Sequence, residues 1–192
     1  MHEGYLCKLD DGHVLGEQVG ALCRRNAGQA LLPRIRPVLR ALRDETRGAA
    51  HLSLYSGGDI TLVDIADRPD TPSVDLWVGV QEAAHATAFG KCVLSCLDVP
   101  ARRDYLARYR LVGLTPHTMT DARVLEQRLP QCGDAFQDSE EYLLGTACLA
   151  TPVRAPGIIG AIEIWLPSRR LHSAQPAPLQ RASQGALIAR ME

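Results

Sequence analysis

The sequence predicts an α+β fold built on a largely antiparallel sheet, and three observations carry that expectation. Residues 51–55 and 60–65 alternate in polarity on either side of a Ser56-Gly57-Gly58-Asp59 turn, the pattern of a β-hairpin. Residues 148–153 and 158–165 are β-rich runs joined at Pro156-Gly157. Between these two hairpins, from 85 to about 135, the apolar period lengthens to that of helices. Runs of strands separated by clustered helices indicate α+β rather than alternating α/β.

The elements follow in order. Residues 4–9 and 13–15 read as short strands around Asp10-Asp11-Gly12. Residues 16–27 have helical spacing, with Val19, Leu22 and Cys23 on one face, and Gly28 is expected to interrupt them. Pro33 or Pro37 is expected to start the next helix, since proline is tolerated in a first turn. Its stripe is Ile35, Val38, Leu39 and Leu42, and Gly48 is the expected stop. After the 51–65 hairpin, residues 68–73 form a loop with two prolines, and 74–80 a third strand. Residues 85–97 make a helix with an Ala/Phe/Val/Leu face, and a second begins at Pro100. Thr120-Asp121 opens another, with Thr120 as its cap, running to about 135. Residues 178–191 form a terminal helix after the second hairpin.

Composition sets the outer bounds. The chain has 192 residues and 46% hydrophobic residues, enough for one domain with appendages and a core needing no disulfide or structural metal. The longest apolar runs, such as 157–162, fall far short of the 18 or more residues a membrane span needs. Met1-His2-Glu3-Gly4-Tyr5 has neither a cationic n-region nor an apolar stretch, so a cytoplasmic location is expected. Net charge is −1, which excludes a general polyanion binder. Yet residues 18–43 hold six arginines, at 24, 25, 34, 36, 40 and 43, and no acid. That run reads either as a solvated helical face or as a basic segment near nucleic acid or an acidic partner. Cysteines 7, 23, 92, 96, 132 and 148 form no CxxC pair, and reduced, packed thiols are expected.

The usual catalytic signatures are missing. The sequence has no GxSxG elbow, P-loop, strand-following GxGxxG or HExxH, and its six histidines are scattered. No metal, cofactor or catalytic residue is therefore expected. His51 and His85 read as packed or surface residues, and Cys148, His85 and Asp138 make only a weak nucleophile constellation.

Four segments, in order, carry a resemblance. His85-Ala86-Thr87-Ala88-Phe89-Gly90-Lys91-Cys92 is close to a His-Ala-Thr-Ala-x-Gly-Lys-Ala pattern. Leu114-Thr115-Pro116-His117-Thr118-Met119-Thr120-Asp121 is similar to Tyr-Thr-x-x-Thr-Ile-Thr-Asp. Asp138-Ser139-Glu140-Glu141, then Gly145-Thr146-Ala147-Cys148-Leu149-Ala150-Thr151-Pro152-Val153, resembles Asp-Asp-Glu-Glu followed by Gly-x-x-Cys-Ile-Ala-x-Pro-Val. Pro167-Ser168-Arg169-Arg170-Leu171 approximates a closing Pro-x-Ser-Arg-hydrophobic motif. Together they resemble the effector-binding domain of the IclR family of bacterial transcription regulators, over about residues 30–190. Gly4-Tyr5-Leu6 and residues 11–16 resemble the wing of that family's winged helix and the start of its linker helix.

The resemblance implies a GAF/PAS-like antiparallel sheet of about six strands flanked by helices. It divides the chain into a wing-like hairpin remnant at 1–15, a linker helix at 16–32 and an effector-binding domain at 33–192. It implies a homodimer or tetramer, with operator DNA reached only through a winged helix absent from this chain, so that the chain is expected to be a fragment or a headless regulator. The implied function is binding a small-molecule effector and oligomerisation, with no catalysis. A small hydrolase or thiol enzyme using Cys148, or a ligand-free dimerisation module, remain as alternatives.

The resemblance also places a pocket. The amides at the start of the central helix, which favour an anion, fall on Ala88 and Phe89. The family's acidic pocket residue falls on Asp138, whose other reading is a turn cap, and its pocket cysteine on Cys148. The small polar residues of the last strand are replaced by Glu163 and Trp165, and a leucine ahead of the central helix by Glu82. Glu163 and Trp165 share one face of a strand, either toward the pocket or toward water, and Ile162 and Ile164 the other. Three acids in one pocket would repel an anion, so the expected effector is neutral or cationic rather than a small carboxylate.

Overall fold

Alternation in the two hairpins decides the sheet. The computed structural model describes residues 6–9, 12–68, 82–129, 135–155, 157–173 and 176–188. Strands β3 (Ala49–Ser56) and β4 (Asp59–Ala66) form the first hairpin, and β6 (Thr146–Ala155) and β7 (Ile158–Pro167) the second. With β5 (Phe136–Ser139) they make one antiparallel sheet in the order β4-β3-β7-β6-β5. A separate two-stranded hairpin joins β1 (Leu6–Leu9) to β2 (Gly12–Leu15), as the Asp-Gly step predicts. The large sheet has five strands among the described residues; the strand expected at 74–80 lies outside them. Strand β5 is not marked by the sequence pattern. Its Phe-Gln-Asp-Ser alternates buried and exposed, but an aspartate in an inward position disguises the pattern.

Both faces of the sheet are covered. Helix α1 (Glu17–Thr46) and helix α5 (Ala177–Ile188) pack on one face, over Ala50, Leu52, Leu149, Ile162 and Ile164. Helix α2 (Ala88–Cys96) packs on the other, over Ala49, Cys148, Ala150, Ala161 and Trp165. The α2 side also carries helix α3 (Val99–Arg108) and helix α4 (Ala122–Arg128), whose Tyr105 and Leu125 join that core.

Helix α1 corrects the expected break. It runs unbroken through Gly28, Pro33 and Pro37, so neither proline starts a helix. Both prolines are exposed, and four residues apart they share the solvent side, where water reaches the carbonyls they leave unpaired. An interior proline costs about 3 kcal/mol. Burial of Ile35, Leu39 and Leu42, at about 1.5–3 kcal/mol each, offsets that cost. Val38 packs at the edge of the same core, while the side chains of Leu22 and Cys23 lie outside the described residues. The left-handed residue that ends α1 is Arg47 rather than Gly48. Gly48 is needed for closeness, because a Cβ there would sit 2.6 Å from the Trp165 carbonyl oxygen. Arg170, from the closing motif, donates to the Arg47 and Thr46 carbonyls at 2.8 Å each and satisfies that end of α1.

Caps locate the remaining helices. The helix expected from residue 85 is divided by Thr87, which is extended and whose hydroxyl accepts from the Gly90 N–H at 3.1 Å. Asp98 caps α3 through Ala101, with proline in its first turn as expected. For α4 the cap is Asp121 rather than Thr120; its carboxylate accepts from Arg123 at 2.8 Å and Val124 at 3.3 Å. The described helix stops at Arg128, and residues 130–134 lie outside the described set.

Candidate functional site

Strand register builds the site. Across β3, β7, β6 and β5, Ala49, Trp165, Cys148 and Asp138 stand side by side in one row. The next row is His51, Glu163, Ala150 and Phe136. Directly opposed residues on one face have Cβ atoms about 5 Å apart, so the two rows form one patch. The start of α2 lies over it, because Phe89 N–H donates to the Glu163 carboxylate at 3.2 Å. Gly90 permits this approach of α2 to the preceding turn, since a Cβ there would meet the Ala84 carbonyl oxygen at 2.3 Å.

Glu163 is the polar hub. It is wholly buried, and its Oε1 accepts from the Trp165 indole N–H at 2.5 Å and from His51 Nδ1 at 3.3 Å. With the Phe89 amide, three donors converge on one carboxylate. The His51 ring stands 5.6 Å from the Trp165 ring, and Tyr142 meets Trp165 edge-on at 5.7 Å. Glu163 and Trp165 do share a face, with Ile162 and Ile164 on the other, and that face is the patch rather than water.

Asp138 differs from Glu163 in being half satisfied. Its Oδ1 accepts from the Glu141 N–H at 2.7 Å, the turn-cap role, while Oδ2 is buried with no hydrogen-bond partner. Burial is the main cause that raises this carboxyl to about 7, so its protonated and ionised forms are both within reach near neutral pH. The neighbouring Cys148 thiol is pushed well up by complete burial and then by the Glu163 and Asp138 charges. A thiol held protonated is the reverse of an activated nucleophile, which removes the support for a thiol enzyme at Cys148. Beside the patch, Lys91 Nζ pairs with Glu141 Oε1 and reaches the Gln137 carbonyl at 3.4 Å.

The structure thus unites Phe89, Asp138, Cys148, Glu163 and Trp165, with Ala88 buried in the first turn of α2. Glu82 is not part of this group. It is exposed and lines an outer groove of about 520 Å³ with His85, Tyr109 and Arg110. His51 and Tyr142 are the residues that sequence reasoning missed. His51 was legible as an inward position of an alternating strand, whereas its partner across the register was not. His85 is a packed histidine: its Nε2 bonds the Val112 carbonyl at 2.9 Å, and burial lowers its pKa. Among the described residues no group of three or more His, Cys, Asp or Glu could hold a metal, and no helix is long and apolar enough to cross a membrane.

Residues 27–186 match the family model described as the bacterial transcriptional regulator IclR C-terminal domain. The chain belongs to the IclR family. The chain is 32% identical over 179 residues to the Pca operon regulatory protein of Acinetobacter baylyi, a match covering 87% of this chain. The chain spans 63% of that relative's length and 59% of another curated relative's. Among solved structures it resembles a double mutant of the Acinetobacter PobR inducer-binding domain in complex with 3-hydroxybenzoic acid. That match has TM-score 0.65 and 25% identity, covering 78% of this chain and 92% of the other. An IclR homologue from Microbacterium hydrocarbonoxydans complexed with 4-hydroxybenzoate matches with TM-score 0.76 and 20% identity, over 96% and 79% of the two chains.

These two complexes overturn the expectation that a neutral or cationic effector is favoured over a small carboxylate. The geometry gives the physical reason. Three acids would repel an anion, yet Glu82 stands outside the patch, the Asp138 carboxyl is raised to about 7, and the Glu163 oxygens are already bound by converging donors. What a buried carboxyl group does to an anion depends on its hydrogen-bond partners as well as on its formal charge.

Proposed function

We propose that this IclR-type domain senses an aromatic carboxylic acid at the two-row patch beneath α2. The observation that carries the reading is Asp138 Oδ2, a buried polar atom with no protein partner beside Cys148 and the Trp165 row. An unpaired buried carboxyl oxygen costs about 1–3 kcal/mol, which a ligand's hydroxyl or carboxyl group would recover. Trp165, Tyr142 and Phe89 supply aromatic surface for a ring, and the Asp138 carboxyl near neutrality can donate to a carboxylate or accept from a phenol. The hydroxybenzoates held by the two similar structures have these parts. The division at 1–15, 16–32 and 33–192 belongs to the same proposal, supported by the β1–β2 hairpin leading through Gly16 into α1. Helix α1 continues to Thr46, so the linker and the domain share one rigid element through which occupancy of the sheet could reach the hairpin.

Thermal-shift and calorimetric titration with benzoate, 3-hydroxybenzoate and 4-hydroxybenzoate test the reading. A ligand at 100 times its Kd stabilises by about 2.7 kcal/mol, a shift of several degrees. The expected result is stabilisation by a hydroxybenzoate that Asp138→Asn reduces at least tenfold in affinity. No stabilisation by any aromatic acid at millimolar concentration would refute it, as would equal binding by the variant.

A further inference from the structure

The last turn of α2, two turns from the patch, holds a second group of reactive side chains. Cys96 and Cys92 stand one helical turn apart, Cys96 half-buried and Cys92 buried. From β6, Arg154 Nε donates to Cys96 Sγ at 3.2 Å. Ser95 Oγ lies 3.9 Å from the same sulfur while donating to the Cys92 carbonyl at 2.7 Å. A helix C-terminus disfavours a negative charge, but from α3 the Arg102 guanidinium donates to the Leu94 and Leu97 carbonyls at 3.4 Å and offsets it. The groups facing Cys96 are thus Arg154 from β6 and Cys92 and Ser95 from α2, with Arg102 from α3 capping the same helix end.

We propose that Cys96 is a modification site of this domain, a thiolate held by the Arg154 guanidinium that hydroperoxides oxidise to the sulfenic acid. The sulfur attacks the terminal OH oxygen of the hydroperoxide; the S–O bond forms, the O–O bond breaks, and the departing hydroxide or alkoxide takes up a proton to become water or an alcohol. The sulfur loses the two electrons that the peroxide gains. Cys92 has a different part. Burial raises its thiol well above the ordinary value, so it keeps its proton and donates to Cys96. That donation, opposed by burial and joined by Arg154, brings the Cys96 thiol down to about 6. Electropositive, accessible thiolates of this kind are the reactive ones, whereas buried thiols such as Cys148 are inert.

At pH 6 an ordinary thiol with a pKa of about 8.5 is roughly 0.3% ionised. Cys96 would be about half ionised, a ratio of about 150. Lower basicity removes about a factor of ten in nucleophilicity, leaving roughly tenfold. Site-resolved mass spectrometry of the intact chain with iodoacetamide at pH 6 should therefore show Cys96 alkylated about tenfold faster than in the urea-unfolded chain. Hydrogen peroxide with dimedone should give the sulfenic adduct at Cys96, lost in Cys96→Ser, reduced several-fold in Arg154→Gln and partly kept in Arg154→Lys. Buried Cys148 is the internal control, because its labelling would reveal a variant that has unfolded. Cys96 reacting no faster folded than unfolded, or an adduct unchanged by Arg154→Gln with Cys148 still protected, would overturn the proposal.

Discussion

Replacing Glu163 by leucine should be among the most damaging single changes in the domain. The substitution leaves the Phe89 amide, the Trp165 indole N–H and His51 Nδ1 facing an apolar side chain in a fully buried place. Each unsatisfied buried donor costs about 1–3 kcal/mol. Leucine recovers about 1.5–3 kcal/mol through apolar burial, so the net loss is roughly 2–6 kcal/mol. For a domain with a total stability of about 5–15 kcal/mol that is a large share. A urea m-value of roughly 2–3 kcal/mol/M converts it into a midpoint lower by about 0.7–3 M, read by circular dichroism. Glu163→Gln separates charge from shape. It keeps one acceptor oxygen in place and should lose only about 1–2 kcal/mol. If the leucine variant unfolded within about 0.5 kcal/mol of wild type, or lost less than the glutamine variant, the hub of three donors would be refuted.

Other outcomes follow from the same geometry. Asp138 has a folded-state pKa raised to about 7, so the stability it contributes is complete below about pH 4 and is lost as pH rises toward and through 7. Asp138→Asn should remove this slope, at most about 1.4 kcal/mol per pH unit; parallel stability curves for the two proteins between pH 4.5 and 8 would count against it. Gly90→Ala places a Cβ 2.3 Å from the Ala84 backbone, which no rotamer relieves, and should cost at least about 2 kcal/mol in thermal unfolding. Lys91→Met should cost about 3–5 kcal/mol by stranding Glu141, and adding Glu141→Leu should restore most of it; a double variant as unstable as the single would show that the pair does not act as a unit.

How much of this was legible from the residues follows the range of each interaction. The β3–β4 hairpin was readable because alternation and a Gly-Gly turn are properties of neighbouring residues. The caps Asp98 and Asp121 are local in the same sense. The continuity of α1 was not local. Two prolines and a glycine argue for a break, and what opposes them is burial of Ile35, Leu39 and Leu42 against a sheet formed more than a hundred residues later in part. Strand β5 fails for a related reason: its inward aspartate makes sense only beside Cys148 of β6.

The candidate site shows the same division more sharply. Alternation alone paired Glu163 with Trp165 and set both against Ile162 and Ile164, but it left open which face was covered. The answer lies in His51, paired with Glu163 across a separation of 112 residues, and in the Phe89 amide, 74 residues away. Those contacts also reverse the electrostatic inference. An acid counted from sequence is a negative charge seeking relief, whereas Glu163 in place is an acceptor saturated by donors of the protein's own. Within the two rows Asp138 is the acid left with an unmet oxygen, and it is poised to lose or keep its proton near neutrality. The specificity of such a patch is therefore set less by how many carboxyl groups it contains than by which one the fold leaves unsatisfied.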